Sequence, residues 1–231
     1  TKKMTKVLSL IGDVIKIHPH GDSSVENVIT GLGKDWEVPY PLMTIGGNNG
    51  QIAGSPSASA RYITGRVSDF AYDCFFSEWD DKVMDMAPTY NQDLMEPLSL
   101  AAKYPNMLLK PSTGFTFSMA TYVPSFNLVE AFEEVIKCIK DPDYHPYLIP
   151  DIPSRCDIID EGQFGEICET GKGVFKMRST IIEDPDEHTL TITSLPYKTK
   201  IESVIAKIAE FSKSKQLPGL KRINDASDAE S

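Results

Sequence analysis

His18-Pro19-His20-Gly21-Asp22-Ser23-Ser24-Val25-Glu26-Asn27-Val28-Ile29 is the stretch on which the reading of this 231-residue chain turns. From Asp22 to Ile29 it reads as a short helix. Asp22 or Ser23 can cap it, an acidic residue sits in its early turns, and apolar positions recur three to four apart. The pattern stops at Gly31-Leu32-Gly33. Ahead of it, His18-Pro19-His20 taken alone is a turn with two incidental imidazoles. Zinc is a poor fit, because a His-x-His pair with only His145 and His188 elsewhere makes no recognisable ligand set.

Working outward, Val38-Pro39-Tyr40-Pro41 through Gly46-Gly47-Asn48-Asn49-Gly50 to Gly54 suits turns and short strands. From about Ser57 to Trp79 apolar residues fall at helical spacing (Val67, Phe70, Ala71, Cys74, Phe75), which predicts a helix after Arg66. A short helix, a Gly-rich turn region and a further helix are compatible with a winged helix-turn-helix, and with many other small folds. Residues 80–126 read as irregular, punctuated by Pro88, Pro97, Pro105, Pro111 and Pro124. Asn127 then caps a helix over Leu128 to Lys140, with Val129, Phe132, Val135, Ile136 and Ile139 as its apolar stripe. Val174 to Ile182 and Thr189 to Ser194 alternate as strands around Glu183-Asp184-Pro185-Asp186-Glu187. A last helix is predicted over Ile201 to Lys213, before a small, acidic tail from Asn224 to Ser231. There is no internal repeat. The fold class is α+β, mostly antiparallel in its second half.

Composition narrows the class. A hydrophobic fraction of 41% and a charged fraction of 24% are those of a soluble globular protein. No apolar run approaches the roughly 20 residues that span a bilayer. The start, Thr1-Lys2-Lys3-Met4-Thr5-Lys6, is basic, but the apolar stretch Val7 to Ile11 is too short and interrupted for a signal peptide. The expected setting is the cytoplasm, with no membrane partner. Cys74, Cys138, Cys156 and Cys168 form no CxxC pair and no metal-ligand spacing, so reduced thiols are expected. The net charge of −10 is unevenly spread. Residues 1–66 hold five lysines and two arginines against five acidic residues, a net +2; the remaining 16 basic and 28 acidic residues give −12. Phosphate binding needs a local basic surface rather than a basic protein, so the asymmetry permits a DNA-facing N-terminal part.

Three segments become specific in combination: His18-Pro19-His20-Gly21-Asp22-Ser23, Gly47-Asn48-Asn49-Gly50, and Ser57-Ala58-Ser59-Ala60-Arg61-Tyr62 with Arg66. In order and spacing they resemble the HPHGDS, GNFGS and AAxRYTExR patterns of type IIA DNA topoisomerase A subunits, those of gyrase and topoisomerase IV. The likeness continues through Tyr104-Pro105-Asn106-Met107-Leu108-Leu109 and Ser118-Met119-Ala120-Thr121-Tyr122-Val123-Pro124, similar to PNLLxNG and GMATNIPPHN. It extends through the helix at Asn127, Gly171-Lys172-Gly173-Val174 and Leu195-Pro196-Tyr197, and so covers nearly the whole chain.

The resemblance implies a winged-helix DNA-cleavage domain over residues 1–110, followed by an α/β tower, or shoulder, domain over 111–231. It also implies truncation at both ends. Tyr62 would be the nucleophile that attacks a DNA phosphate, with Arg61 clamping the phosphate oxygens and His20 assisting proton transfer. His18, Ser23, Lys34, Arg66 and Val123 would contact DNA, Val123 as a wedge between base pairs. Ser23 and Asn27 occupy the positions of the family's quinolone contacts, with Asn27 where an acidic residue is usual. No metal ligands are expected in this chain, since in the family Mg²⁺ and ATP are bound by the partner B subunit. The implied partners are double-stranded DNA, that B subunit, and another copy of the A subunit, in an A2B2 assembly. Departures from the patterns are Ile63-Thr64 for Thr-Glu, Asn49 for phenylalanine, and Ala53-Gly54-Ser55 for Asp-Gly-Asp. They put the detail of the wing in doubt, not the nucleophile. The competing readings are a winged-helix DNA-binding protein without the chemistry, and a metal-dependent hydrolase built on His18 and His20.

Overall fold

A computed structural model describes residues 3–52 and 54–227. The chain divides into two compact units, one made of Thr1–Asn49 and Ser57–Glu133, the other of Gly50–Pro56 and Glu134–Ser231.

The first unit begins with β1 (Thr5–Lys6) and α1 (Val7–Ile17), and a short turn leads into α2 (Asp22–Gly31). The strands β2 (Met43–Gly46) and β3 (Thr64–Val67) follow, and all three strands form one antiparallel sheet in the order β1-β3-β2. Gly46 pairs with Thr64 and Met43 with Val67, while Lys6 also pairs with Thr64 from the other side of β3. Buried Val7, Ile11, Val25, Ile29, Ala60 and Ile63 form the core, with Leu10, Ile15, Met43, Ile45 and Ala58 packed against it. Helix α3 (Asp69–Phe75) is capped by the Ser68 hydroxyl, which accepts the Ala71 N–H at 3.0 Å.

The rest of that unit is less irregular than the prolines suggested. It contains the hairpin of β4 (Met86–Pro88) and β5 (Met95–Pro97), the single turn α4 (Asn106–Leu109), and the hairpin of β6 (Ser112–Phe115) and β7 (Ala120–Val123). Pro88 and Pro97 are terminal residues of their strands, where a missing N–H is tolerated.

Helix α5 (Leu128–Lys140) starts in the first unit and ends in the second. Its predicted cap is present: Asn127 Oδ1 accepts the N–H groups of Val129 and Glu130. Its predicted apolar stripe is not a core face. Val129, Val135, Ile136 and Ile139 are exposed, and the buried positions are Ala131 and Glu134. The second unit continues with β8 (Asp157–Ile159), α6 (Phe164–Thr170), β9 (Lys176–Arg178), β10 (Ile181–Asp184), β11 (Thr189–Ile192) and α7 (Ile201–Lys213). The single strand expected from Val174 to Ile182 is two, because β9 pairs with β8 and β10 pairs with β11.

Two further expectations need correction. The N-cap of α2 is Gly21, in extended conformation with no side-chain cap bond; Asp22 instead accepts its neighbour Ser23's N–H at 2.8 Å. Residues 7–11, weighed above only as a targeting segment, open an 11-residue helix. The architecture is α+β, with short antiparallel sheets throughout the described residues. No helix among them is long and apolar enough to cross a membrane.

Candidate active site

Arg61 and Tyr62 lie in a tight turn between buried Ala60 and buried Ile63, immediately before β3. The turn is closed by the Tyr62 N–H, which donates to the Ser59 carbonyl at 2.8 Å. Its backbone is fastened to both helices. The first N–H groups of a helix have no intrahelical partner. Here those of Val7 and Leu8 donate to the carbonyls of Ile63 (3.1 Å) and Ala60 (3.2 Å). From α2, Glu26 Oε1 accepts the Ala60 N–H at 3.0 Å. Lys6 Nζ donates to the Tyr62 carbonyl at 3.2 Å. With Ala60 and Ile63 anchored in the core, the residues between them must point outward, and Tyr62 is 71% exposed. A hydrogen-bonded backbone carries an accessible phenol on the residue after an exposed arginine.

The Gly-rich loop fits against the same turn. Gly46 faces Thr64, where a Cβ would meet Oγ1 at 2.7 Å. Gly47, at φ +98°, would bring a Cβ to 3.2 Å from Ile63. Both approaches favour glycine. Asn49, which departs from the family's phenylalanine, has a structural use: its buried Nδ2 donates to the Thr30 carbonyl at 3.0 Å near the C-terminal end of α2. The Ser57 hydroxyl reaches the Asn49 carbonyl oxygen at 2.9 Å and its Oδ1 at 3.1 Å. An amide thus fastens this loop where an aromatic ring would have to pack.

The remaining predicted site residues fall into groups. His18 and His20 are exposed in the turn between α1 and α2, their rings stacked at 4.8 Å. Ser23 and Asn27 are exposed four positions apart on α2, hence on one face. Lys34 and Arg66 already have carboxylate partners: Lys34 meets Glu37 at 3.3 Å, and Arg66 meets Asp69 at 2.8 Å while also donating to the Val67 carbonyl. Contact with phosphate would require each to exchange or share that partner. Val123 ends β7 opposite Ser112, half-buried, far along the chain from Tyr62. Sequence reasoning missed the Glu26 bond to Ala60 and the two helix N–H bonds; no local motif announces them.

The carboxylate that meets the Arg61-Tyr62 turn, that of Glu26, accepts the Ala60 N–H. Mg²⁺ takes oxygen ligands, and residues 38–68 contain no aspartate or glutamate. Among the described residues no group of three or more His, Cys, Asp or Glu side chains is placed to hold a metal.

Known proteins are similar to this chain over nearly all of its length. The family of the A subunit of DNA gyrase/topoisomerase IV matches it over residues 1–231. The chain belongs to that family. It is 32% identical to the A subunit of DNA topoisomerase 4 of Staphylococcus epidermidis over 237 residues, which covers 98% of this chain and 30% of that protein. The DNA gyrase A subunit of Mycoplasma pneumoniae is 32% identical over 97% of this chain and 28% of its own length. The DNA gyrase A subunit of Borrelia hermsii is 32% identical over 99% and 29%. This member of the A-subunit family therefore spans about three-tenths of the length of the curated relatives it matches.

Proposed function

We propose that this chain carries the DNA-breaking and rejoining chemistry of a type IIA topoisomerase A subunit, with Tyr62 as nucleophile. The observation that supports it most is the exposed Arg61-Tyr62 turn, fastened through its backbone to α1 and α2. The phenolic oxygen attacks a backbone phosphorus, and the bond from phosphorus to the 3′-oxygen of the neighbouring sugar breaks. The tyrosine becomes the new 5′-phosphodiester partner, its proton leaves through His20 or water, and the released 3′-oxygen takes up a proton. One phosphodiester is exchanged for another, so rejoining needs no fresh energy source. A free phenol ionises only near pH 10, so such a nucleophile works with cationic help. Arg61 supplies it, clamping the phosphate oxygens as charge builds on them. His18 is the second imidazole available to that phosphate.

In this reading β1, α1, α2, β2 and β3 form a winged helix-turn-helix, with α2 laid against the duplex and residues 47–63 as the wing beside it. Residues 1–110 make up the cleavage domain and 111–231 the tower, a functional division that need not coincide with the compact units. Ser23, Lys34 and Arg66 contact the backbone, and Val123 wedges between base pairs. Mg²⁺ and ATP come with a B subunit, and two A subunits in an A2B2 complex make the paired cuts in cytoplasmic DNA.

The test is a covalent trap. In an A subunit of the relatives' full length, mixed with its B subunit, Mg²⁺, ATP and supercoiled DNA, denaturant should release a protein–DNA adduct. Tyr62→Phe should abolish the adduct and leave duplex binding largely intact. An adduct that persists in Tyr62→Phe overturns the assignment. Asn27 adds a smaller expectation. A drug-bound metal needs an oxygen-rich anchor, so quinolones should stabilise cleavage less than in a relative with an acidic residue there, and Asn27→Asp should restore the response. Equal drug response before and after that change removes Asn27 from the drug site.

A further inference from the structure

Helix α3 has two faces of different character. Ala71 and Cys74 are buried, and Phe70 stacks between Tyr40 and Tyr104, each ring at 5.4 Å. Tyr72 and Phe76, four positions apart, share another face. The chain turns there, with the Trp79 N–H donating to the Phe76 carbonyl at 3.3 Å, and Trp79 continues the row. The Phe76 ring lies 6.5 Å from Tyr72 and stacks on Trp79 at 5.9 Å. Tyr72 is 54% exposed and Trp79 38%, so both ends of the row are open to water.

Around these rings the chain is strongly acidic. Residues 69–96 hold eight acidic residues and one basic residue, Lys82, a net −7. Trp79 Nε1 donates to Asp81, and the Tyr104 hydroxyl donates to Asp73. Lys103 Nζ lies 3.3 Å from Glu78 and 3.6 Å from Asp73. These carboxylates, Glu78 foremost, push its ammonium above the usual lysine range. The patch therefore already holds one cationic head group of this chain. The same charge repels a phosphate backbone. Nor are the carboxylates gathered for a metal ion: among the described residues no group of three or more His, Cys, Asp or Glu side chains is placed to hold one. Dispersed carboxylates beside exposed rings match a run of separate cations. The apolar stem of an arginine or lysine lies along a ring while its head meets a carboxylate, and the planar guanidinium also stacks on the ring.

We propose that the row Tyr72, Phe76 and Trp79, with the carboxylates of Asp73, Glu78 and Asp80 around it, docks an arginine-rich segment of a partner polypeptide. Arginine stems cover the rings, and the guanidinium groups supply the positive charge that residues 69–96 lack. This contact is independent of the chemistry assigned to Tyr62.

The 231-residue chain is titrated with an Arg-Gly repeat peptide, followed by anisotropy of a fluorescein label and, with unlabelled peptide, by tryptophan emission. The unmutated chain should bind it with a change in emission, and should ignore a Glu-Gly repeat. Tyr72→Ala and Trp79→Ala should each weaken binding about 2- to 5-fold, the range of one exposed cation–π contact. Trp79→Phe should keep the affinity and lose the emission change. Glu78→Gln combined with Asp80→Asn should weaken binding about 2- to 10-fold. The same charge change in the last hairpin, Asp186→Asn with Glu187→Gln, should leave it unchanged. Because Tyr72 is exposed, Tyr72→Ala should not move the melting temperature and so reports on binding alone. Absence of binding by the unmutated chain, or full affinity in both Tyr72→Ala and Trp79→Ala, overturns the inference. Equal losses from the two charge pairs reduce the contact to bulk attraction and overturn it as well. If duplex DNA displaces the peptide from Trp79, or Trp79→Ala dissolves a dimer of this chain, the occupant is another one and the inference is wrong. None of these outcomes alters the assignment of Tyr62.

Discussion

The core around α1, α2 and the three-stranded sheet encloses its apolar side chains, whereas the last hairpin and α7 of the other unit have no buried residue. In the first, Val7, Ile11, Val25, Ile29, Ala60 and Ile63 close on one another and hold the Arg61-Tyr62 turn in place. In the second, every residue of β10 and β11 is exposed, including Ile181, Ile182, Leu190 and Ile192, and α7 buries none. Phe164, against Phe175 at 5.6 Å, is its main large buried side chain. The lesson concerns where rigidity is needed. The nucleophile proposed here, Tyr62, would have to be aimed, since misplacement by about 1 Å can cost on the order of a hundredfold in rate, and the backbone under it is anchored by packed residues.

That contrast can be broken by truncation in each unit. Ile63 is 1% exposed, so Ile63→Ala should cost about 2–5 kcal/mol and lower the urea midpoint of the first unit sharply. Leu190→Ala, in the exposed hairpin, should fall within about 0.5 kcal/mol of the parent chain. A larger loss for Leu190→Ala than for Ile63→Ala would reverse the roles assigned to the two units.

The second unit compensates with one saturated polar contact. Glu134, buried on α5, accepts Lys137 Nζ at 2.7 Å, the Tyr147 N–H at 2.9 Å and the Tyr144 hydroxyl at 2.9 Å. These donors, Lys137 foremost, hold its carboxyl below the usual range. A depressed carboxyl contributes stability that is complete above the unfolded value of about 4.3 and is lost as pH falls through the lower folded value. Acid should therefore loosen the segment from Glu134 to Tyr147, seen as faster amide exchange there. Glu134→Gln should cost about 1–3 kcal/mol at neutral pH and remove that acid sensitivity. An unchanged acid profile in the variant would show the contact to be incidental.

A modest effect on stability should come with a specific effect on chemistry. Glu26→Ala removes the acceptor of the Ala60 N–H, at about 0.5–1.5 kcal/mol. In the full-length assay it should lower adduct yield several-fold at unchanged duplex affinity, because it loosens the turn rather than the DNA surface. Equal loss of affinity and cleavage would mean that Glu26 acts elsewhere.

Local chemistry was legible in the sequence wherever one segment settled its own structure. The Asn127 cap and the end at Lys140 give α5 directly, Ile201 to Lys213 gives α7, and the acidic turn from Glu183 to Glu187 gives the last hairpin. What was missed depends on distant partners. Strand β3 exists because Met43–Gly46 pair along all four of its residues, and Thr5 and Lys6 join it from nearly 60 residues away. The break between β9 and β10 follows from a change of pairing partner. Val7, Leu10, Ile11, Val14 and Ile15 do carry a readable helical period, and α1 goes unseen when those residues are weighed only as a leader. At the site, Arg61 and Tyr62 are invisible to periodicity, and only the family resemblance singles them out. What fastens them, Glu26 and the N-terminus of α1, can be seen only once the chain is folded.

The most direct measurement is to digest the trapped protein–DNA complex and find the peptide that carries the nucleotide. The account predicts a 5′-phosphodiester on the phenolic oxygen of Tyr62, within the peptide that also contains Arg61 or begins just after it. A nucleotide attached to any other residue, or no attachment under conditions where the unmutated enzyme relaxes DNA, would contradict it.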